Sequence, residues 1–187
     1  MDALINHVLQ FVNLSEDTVD GLRKNLRRKE LAKGEYLYTQ GRICGHLYFL
    51  ENGCVRGFYA QDEKEITYWF AFENNFVTSF YSFITQQPGI ENIQALEDCT
   101  LWAITYADLQ DLYKKLVEIE RLGRIIQERY YVMLEERFMR NHFKEARERY
   151  ENLMTNAPHI LQRVPLTYVA SYLGITQETL SRVRSKA

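Results

Sequence analysis

The sequence predicts an α+β chain in three consecutive parts: a β-rich half shaped as a sandwich, barrel or jelly roll, a long helical region, and a pair of short helices at the C-terminus. Three observations predict it. Between residues 34 and 104, short aromatic or β-branched runs alternate with turn residues. Residues 106–142 contain no proline and only Gly123, while apolar residues recur at steps of three and four. Near the end, Pro165, Gly174 and Thr176 punctuate two helical patterns. The expected parts are 1–105, 106–142 and 143–187.

Each element has its own signal. Residues 1–32 are expected to be helical: Leu4, Ile5, Val8, Leu9 and Val12 recur at helical spacing, Ser15 caps a second start, and Val19, Leu22 and Leu26 continue the pattern. Strand-like runs follow at 36–38, 47–50, 55–59, 66–70, 76–77, 93–96 and 101–104, with Gly34, Gly41, Asn52-Gly53, Asp62-Glu63, Asn74-Asn75, Pro88-Gly89 and Glu97-Asp98 between them. Asn52-Gly53 between two such runs predicts a hairpin. After Thr105 the stripe Leu109, Leu112, Leu116, Ile119, Leu122, Ile126, Tyr130, Met133, Leu134 predicts helix, capped by Thr105 or Asp108 and open to a break within 114–120. A further helix runs from Lys144 to Asn156 and ends at Ala157-Pro158. The last pair covers 165–173 and 176–186.

Composition narrows the function classes. With 187 residues, 46% hydrophobic and 26% charged, the chain has the profile of a globular protein with a real core. No apolar run approaches the roughly 20 residues of a membrane span, and Met1-Asp2-Ala3-Leu4 does not open a signal peptide, so a cytoplasmic protein without membrane contact is expected. Cys44, Cys54 and Cys99 are an odd, scattered set, which fits reduced thiols better than a disulfide framework. His7, His46, His142 and His159 lie in four unrelated segments, so no metal site is expected. No nucleophile elbow, P-loop or His-Glu-x-x-His motif is present; no catalytic residue is assigned and the chain is not expected to be an enzyme. From Ile160 to Ala187 four basic residues (Arg163, Arg182, Arg184, Lys186) face one acid, Glu178, so the tail is +3 in a chain of net charge −2. Such asymmetry fits a basic reading head on an acidic body, and also fits ordinary drift of charge.

The stretch 163–184 carries the most specific pattern. Pro165 suits a first helical turn. Ala170 lets two helices cross closely, Gly174 can adopt positive φ in a tight turn, and Ile175 plugs the gap. Thr176 is an N-cap candidate, with Glu178 on the positive helix end. Leu166, Val169, Leu173, Leu180 and Val183 are expected inside. Gln177, Glu178, Ser181, Arg182 and Ser185 then face out. Arg can pair with guanine, Gln with adenine, and Glu accepts from cytosine, so this face suits the major groove of double-stranded DNA. Thr167, Arg184 and Lys186 suit phosphates. A surface helix hairpin without a ligand is the other reading of the pattern.

The whole chain resembles the Crp/Fnr superfamily of transcription regulators, and looks closest to a short branch common in Bacteroidetes. The resemblance rests on Lys33-Gly34-Glu35, Gly41, Gly53, Glu73-Asn74-Asn75-Phe76, Ala95-Leu96-Glu97-Asp98, the long helix, and Tyr168–Thr176. It implies an N-terminal double-stranded β-helix of the jelly-roll, cyclic nucleotide-binding kind, a dimerisation helix and a C-terminal helix-turn-helix. It places base reading on Gln177, Glu178 and Arg182. It also implies control by a small-molecule effector, a homodimer on a palindromic site, and contact with RNA polymerase if the protein activates. Two departures matter. The family's phosphate cassette carries Gly-Glu and then Arg-Ser, whereas the matching positions here read Thr78-Ser79 and Gly89-Ile90. A buried phosphate without a cation is costly, so cyclic AMP is not expected to bind in the usual manner. Thr78, Ser79, Tyr81, Gly89, Ile90 and Gln94 then line a pocket for a different effector, or are polar core residues of a vestigial cavity. The family's wing is also not seen: the chain stops at Ala187, so the wing is absent or truncated.

The stripe Ile119, Leu122, Ile126, Tyr130, Met133 needs burial, either on the β-rich half or on a twin helix across a two-fold axis, with Arg129 flanking it. A dimer is expected, because readers of this type use half-sites about 34–36 Å apart. The rival reading of the chain is a small-ligand or cyclic nucleotide module without DNA-binding activity.

Overall fold

Two four-stranded antiparallel sheets make up the N-terminal half of the computed structural model, which describes residues 1–62 and 64–185. Helices α1 (Asp2–Val8) and α2 (Glu16–Asn25) lead into them. One sheet has the order β1 (Arg27–Leu31), β8 (Cys99–Thr105), β3 (His46–Asn52), β6 (Phe76–Val77). The other runs β2 (Tyr36–Tyr38), β7 (Asn92–Ala95), β4 (Val55–Gln61), β5 (Lys64–Ala71). Leu50, Val55, Ile93 and Leu101, drawn from both sheets, are fully buried, and each contributes about 2 kcal/mol by its transfer from water. A short α3 (Phe80–Thr85) links β6 to β7.

Two expectations change here. Residues 27–31 are strand rather than helix: Leu26 leaves α2 in an extended conformation, and β1 pairs with β8 along its whole length. Sheet pairing overrides local helical periodicity. Asn52-Gly53 is not a hairpin turn either. β3 pairs with β6 and β8, while β4 pairs with β5 and β7. Gly53, at φ +102°, instead carries the chain from one sheet to the other, and its N–H donates to Glu73 Oε1 at 2.9 Å.

Thr105 caps α4 (Tyr106–Lys115), its hydroxyl accepting from the Asp108 N–H. The chain breaks at Leu116, which is extended, and resumes as α5 (Val117–Phe143), 27 residues long. Four short helices follow: α6 (Ala146–Asn156), α7 (Pro158–Arg163), α8 (Leu166–Tyr172) and α9 (Gln177–Arg184). The reciprocal Glu145/Glu148 capping box starts α6 two residues later than expected. α7 is an element the sequence did not signal; Pro158 ends α6 and serves as its first turn. These helices form a second core of Tyr150, Leu153, Ile160, Val164, Val169, Ala170, Leu173 and Leu180, to which Cys54 and Leu96 of the sandwich contribute. Among the described residues, no helix is long and apolar enough to cross a membrane.

Candidate functional site

The turn between α8 and α9 is a Schellman motif. Gly174, at φ +64°, donates to the Ser171 carbonyl at 3.0 Å, and Ile175 donates to that of Ala170 at 3.0 Å. Thr176 caps α9 by accepting from the Thr179 N–H. Val169, Ala170, Leu173 and Leu180 are buried and lock the crossing. Leu166, expected inside, is 39% exposed, because Pro165 is the N-cap and α8 begins one residue later than the pattern suggested.

That lock leaves Thr176, Gln177, Glu178, Ser181, Arg182, Arg184 and Ser185 exposed, together with Thr167. Gln177 Nε2 donates to Thr167 Oγ1, and Arg182 Nη2 reaches Thr179 Oγ1 at 3.4 Å. Neither Arg182 nor Arg184 has a carboxylate partner among the described residues. Lys186 lies outside the described residues.

Arg163 behaves differently from the other basic residues of the tail. It holds Glu73 through two hydrogen bonds of 2.7 and 2.8 Å and Glu97 through two of 3.0 and 2.5 Å. The guanidinium pulls the Glu73 carboxyl down to about 2. The charge counted toward a reading head is therefore neutralised at a joint between the sandwich and α7. A second contact reinforces this joint. Arg56 on β4 is buried, stacked between Phe58 at 4.1 Å and Tyr168 of α8 at 3.6 Å, and bonded to Glu65 and to Gln94 Oε1. The third contact is Ser171. Its hydroxyl accepts from the Thr67 N–H at 2.9 Å and donates to the Glu65 carbonyl at 3.0 Å. α8 thereby satisfies backbone groups of β5, an edge strand.

The candidate effector residues do not line one common cavity, although Ser79 and Gly89 pack together. Thr78 borders a cavity of about 230 Å³ and donates to the His46 carbonyl. Ser79 is buried with no hydrogen-bond partner for its hydroxyl. Tyr81 and Ile90 are 62% and 71% exposed. Gly89 packs so closely on Tyr38 and Ser79 that a Cβ there would lie 2.6 Å from the Tyr38 hydroxyl. Gln94 is engaged with Arg56 and the Gly34 carbonyl. In addition, the Trp69 indole lies over Gly57, within 2.1 Å of where a Cβ would sit, and donates to Glu91 Oε2 at 3.3 Å. Tyr68 also donates to that carboxyl. Burial pushes Glu91 up to about 8, against the opposing influence of Arg137.

The cavity is instead walled by β5, β6, α1 and α5. Trp69, Phe76, Phe80, Phe11, Ile126 and Tyr130 supply its apolar lining. His7, Asn74, Asn75, Thr78, Arg129 and Arg137 supply the polar part. Tyr130 stacks on Phe80 at 3.9 Å and Arg129 lies 4.2 Å over Phe11. These two, with Ile126 and Met133, were expected at a dimer interface; all four line the cavity beside the protomer's own sandwich, and Arg129 and Met133 (53%) also remain exposed. Ile119 and Leu122, 2% and 5% exposed, belong to its core and are not available to a twin. The apolar residues left exposed on α5 are Val117 at its start and Tyr131 (65%), Val132, Met133, Leu134 (46%), Phe138, Met139 and Phe143 further along. A spacing of 126, 130, 133, 137 marks one helical face, so the cavity wall was legible; what it faces was not.

The three thiols are free and buried, and no metal-binding cluster exists among the described residues.

Residues 28–115 match the family model of the cyclic nucleotide-binding domain. No curated protein matches the sequence. Solved structures do match in fold. FixK2 from Bradyrhizobium japonicum is 16% identical over 86% of this chain and 83% of its own, with a TM-score of 0.71. A transcriptional regulator assigned to the Crp/Fnr family from Eubacterium rectale gives 18%, 91%, 82% and 0.72. The Thermus thermophilus catabolite activator protein gives 20%, 96%, 85% and 0.60. Residues 28–115 thus match the cyclic nucleotide-binding domain model, and the chain shares its fold with FixK2, the Eubacterium rectale regulator and the catabolite activator protein.

Proposed function

We propose that the protein is a cytoplasmic, homodimeric transcription regulator of the Crp/Fnr type, without enzymatic activity, that reads a palindromic DNA site through α9. One observation carries this reading: a capped helix, locked at a fixed crossing by Leu180 and Ala170, presents Gln177, Glu178, Ser181 and Arg182 to solvent, with no carboxylate on the arginine among the described residues. Arg182 and Gln177 read base edges, while Thr167, Thr176, Arg184 and Lys186 position phosphates. Residues 1–105 serve as sensor, 106–142 as dimer helix region and 143–187 as reading head; an activator of this kind also meets RNA polymerase.

The dimer face falls on Tyr131, Val132, Leu134 and Met139 rather than on the buried Ile119 and Leu122. Light scattering of the wild type should give a dimer, and Leu134→Glu a monomer; a wild-type monomer at micromolar concentration would refute the two-fold docking.

Duplexes recovered by selection from a random pool provide the test of DNA reading. In fluorescence anisotropy, Arg182→Ala should weaken binding to the selected duplex about 10-fold or more, the worth of one bidentate base contact, while leaving binding to random duplex unchanged. Equal loss on both duplexes, or no enrichment in the selection, defeats the reading.

Cyclic AMP is not the effector in its usual pose. Gly89 and Ile90 supply no guanidinium, Trp69 fills the space above Gly57, and Glu91 places a carboxyl nearby. Calorimetry should show no micromolar cyclic AMP binding.

A further inference from the structure

We propose that the cavity between α5 and the sandwich is a binding site for a small amphipathic carboxylate, an apolar or aromatic body carrying one acid group, with Arg137 as its anchor. The argument begins with charge. Among the described residues the lining contains two guanidiniums, Arg129 and Arg137, two side-chain amides, a histidine and a threonine, but no aspartate or glutamate. Arg129 rests on the Phe11 ring and has no carboxylate partner among the described residues. Arg137 Nη1 is buried and has no hydrogen-bond partner among the described residues. A buried guanidinium donor without an acceptor is costly, and an arriving carboxylate removes that cost with a charge-assisted hydrogen bond.

Glu91 is close enough to Arg137 to feel its charge, yet its Oε2 accepts from Tyr68 and Trp69. Burial keeps it largely protonated near neutral pH, so it leaves the arginine charge uncompensated. His7 adds no negative charge; burial and Arg129 both hold its pKa below the usual value.

The apolar part of the ligand is specified by the walls. Trp69, Phe76, Phe80, Tyr130, Ile126 and Phe11 enclose about 230 Å³, less than the roughly 300–1,000 Å³ of sites for drug-sized molecules. One ring with a short acid tail suits it. Arg129 and Arg137 are two turns apart, about 12 Å along the helix axis, so a single carboxylate meets only one of them. Arg137, with its unpartnered buried donor, is that one. Of the four positions that match the family's phosphate cassette, Thr78 lines this cavity and Ser79, Gly89 and Ile90 do not.

The site also has a route to the reading head. Phe70 lines the cavity and packs on Tyr172 of α8 with ring centroids 5.2 Å apart. Strand β5 therefore touches both ligand space and helix-turn-helix. The proposal deepens the sensor reading of residues 1–105 and rests on it for this consequence, though not for binding itself.

The test uses the full chain without DNA. 4-Phenylbutyrate and 4-phenylbutyramide, alike except for charge, are titrated by calorimetry and by tryptophan fluorescence, since Trp69 lines the cavity. The acid should bind at least 10-fold more tightly than the amide. Arg137→Gln should weaken the acid at least 10-fold and leave the amide unchanged, with Arg129→Gln producing a smaller loss. An unshifted melting temperature in each variant checks folding. Equal binding of acid and amide by the wild type, or no binding of the acid at millimolar concentration, overturns the proposal without any variant. Anisotropy on the selected duplex is measured separately. Acid binding with no DNA reading sinks the regulator alone; DNA reading with no acid binding sinks this site alone.

Discussion

Arg56 and Arg182 are the same residue in opposite situations. Arg56 is buried between two aromatic rings, with Glu65, Gln94 and Thr67 around its guanidinium. Arg182 stands on an exposed helix face with only a threonine hydroxyl near it. The first fastens the C-terminal helices to the sandwich; the second is left open for a partner outside the protein. The difference is made by the neighbours: strands β4, β5 and β7 converge on Arg56, while among the described residues the Arg182 guanidinium reaches a single hydroxyl, that of Thr179. An arginine in a basic tail is thus no measure of nucleic-acid affinity until its carboxylates have been located, as Arg163 shows.

The contrast can be broken first at Arg56. Arg56→Ala should lower folding stability by about 3 kcal/mol, from two lost cation–π contacts and a stranded Gln94 amide. Arg56→Lys should not restore it, because an ammonium has neither the planar stack nor the fork. Urea unfolding of the three proteins decides this; full rescue by lysine would reduce the site to a point charge.

Arg163→Met should be milder, about 1–2 kcal/mol, since Arg163, Glu73 and Glu97 are each about one-third exposed and screened. Its signature is in acid. Glu73 titrates near 2 in the folded chain against 4.5 ordinarily. Its stabilisation is therefore complete above 4.5 and is lost as pH falls toward 2. The variant should lack that part of the acid slope in stability measured against pH.

Glu91 runs the other way. Its folded value of about 8 lies above 4.5, so the folded chain binds the extra proton between those values and stability declines as pH rises through that window. Glu91→Gln should flatten the decline. An unchanged slope would mean that Glu91 ionises without penalty, and that Arg137 is paired with it.

The smallest effect on folding is expected at Arg182. Arg182→Ala should change stability by no more than about 0.5 kcal/mol, as for other open surface positions, while DNA reading falls. A large loss of stability would place Arg182 in the fold rather than at an interface.

Much of this architecture was legible beforehand, and the limits are instructive. Seven of the strand runs, the caps at Ser15, Thr105 and Thr176, and the turn at Gly174 follow from patterns a few residues long. β1 was not legible, because its pairing with β8 is decided by residues about 70 positions away. Asn52-Gly53 misled for the same reason: a turn signal cannot tell whether the next strand joins the same sheet. The effector residues were chosen along one segment, 78–94, whereas the cavity draws on α1, β5, β6 and α5.

By itself the amino-acid order determined most of the helices and strands, β1 and α7 excepted, that Gly174 turns the chain, and that Gln177, Glu178 and Arg182 share an outer face. Local backbone preferences and the spacing of apolar side chains suffice for that. Only the tertiary structure decided which arginines are neutralised, that Ile119 and Leu122 sit in the protomer's own core, and that Arg129 and Arg137 look into one cavity. Those outcomes depend on Coulombic and packing contacts between residues remote in the chain, and such contacts exist only once the two sheets and α5 have come together.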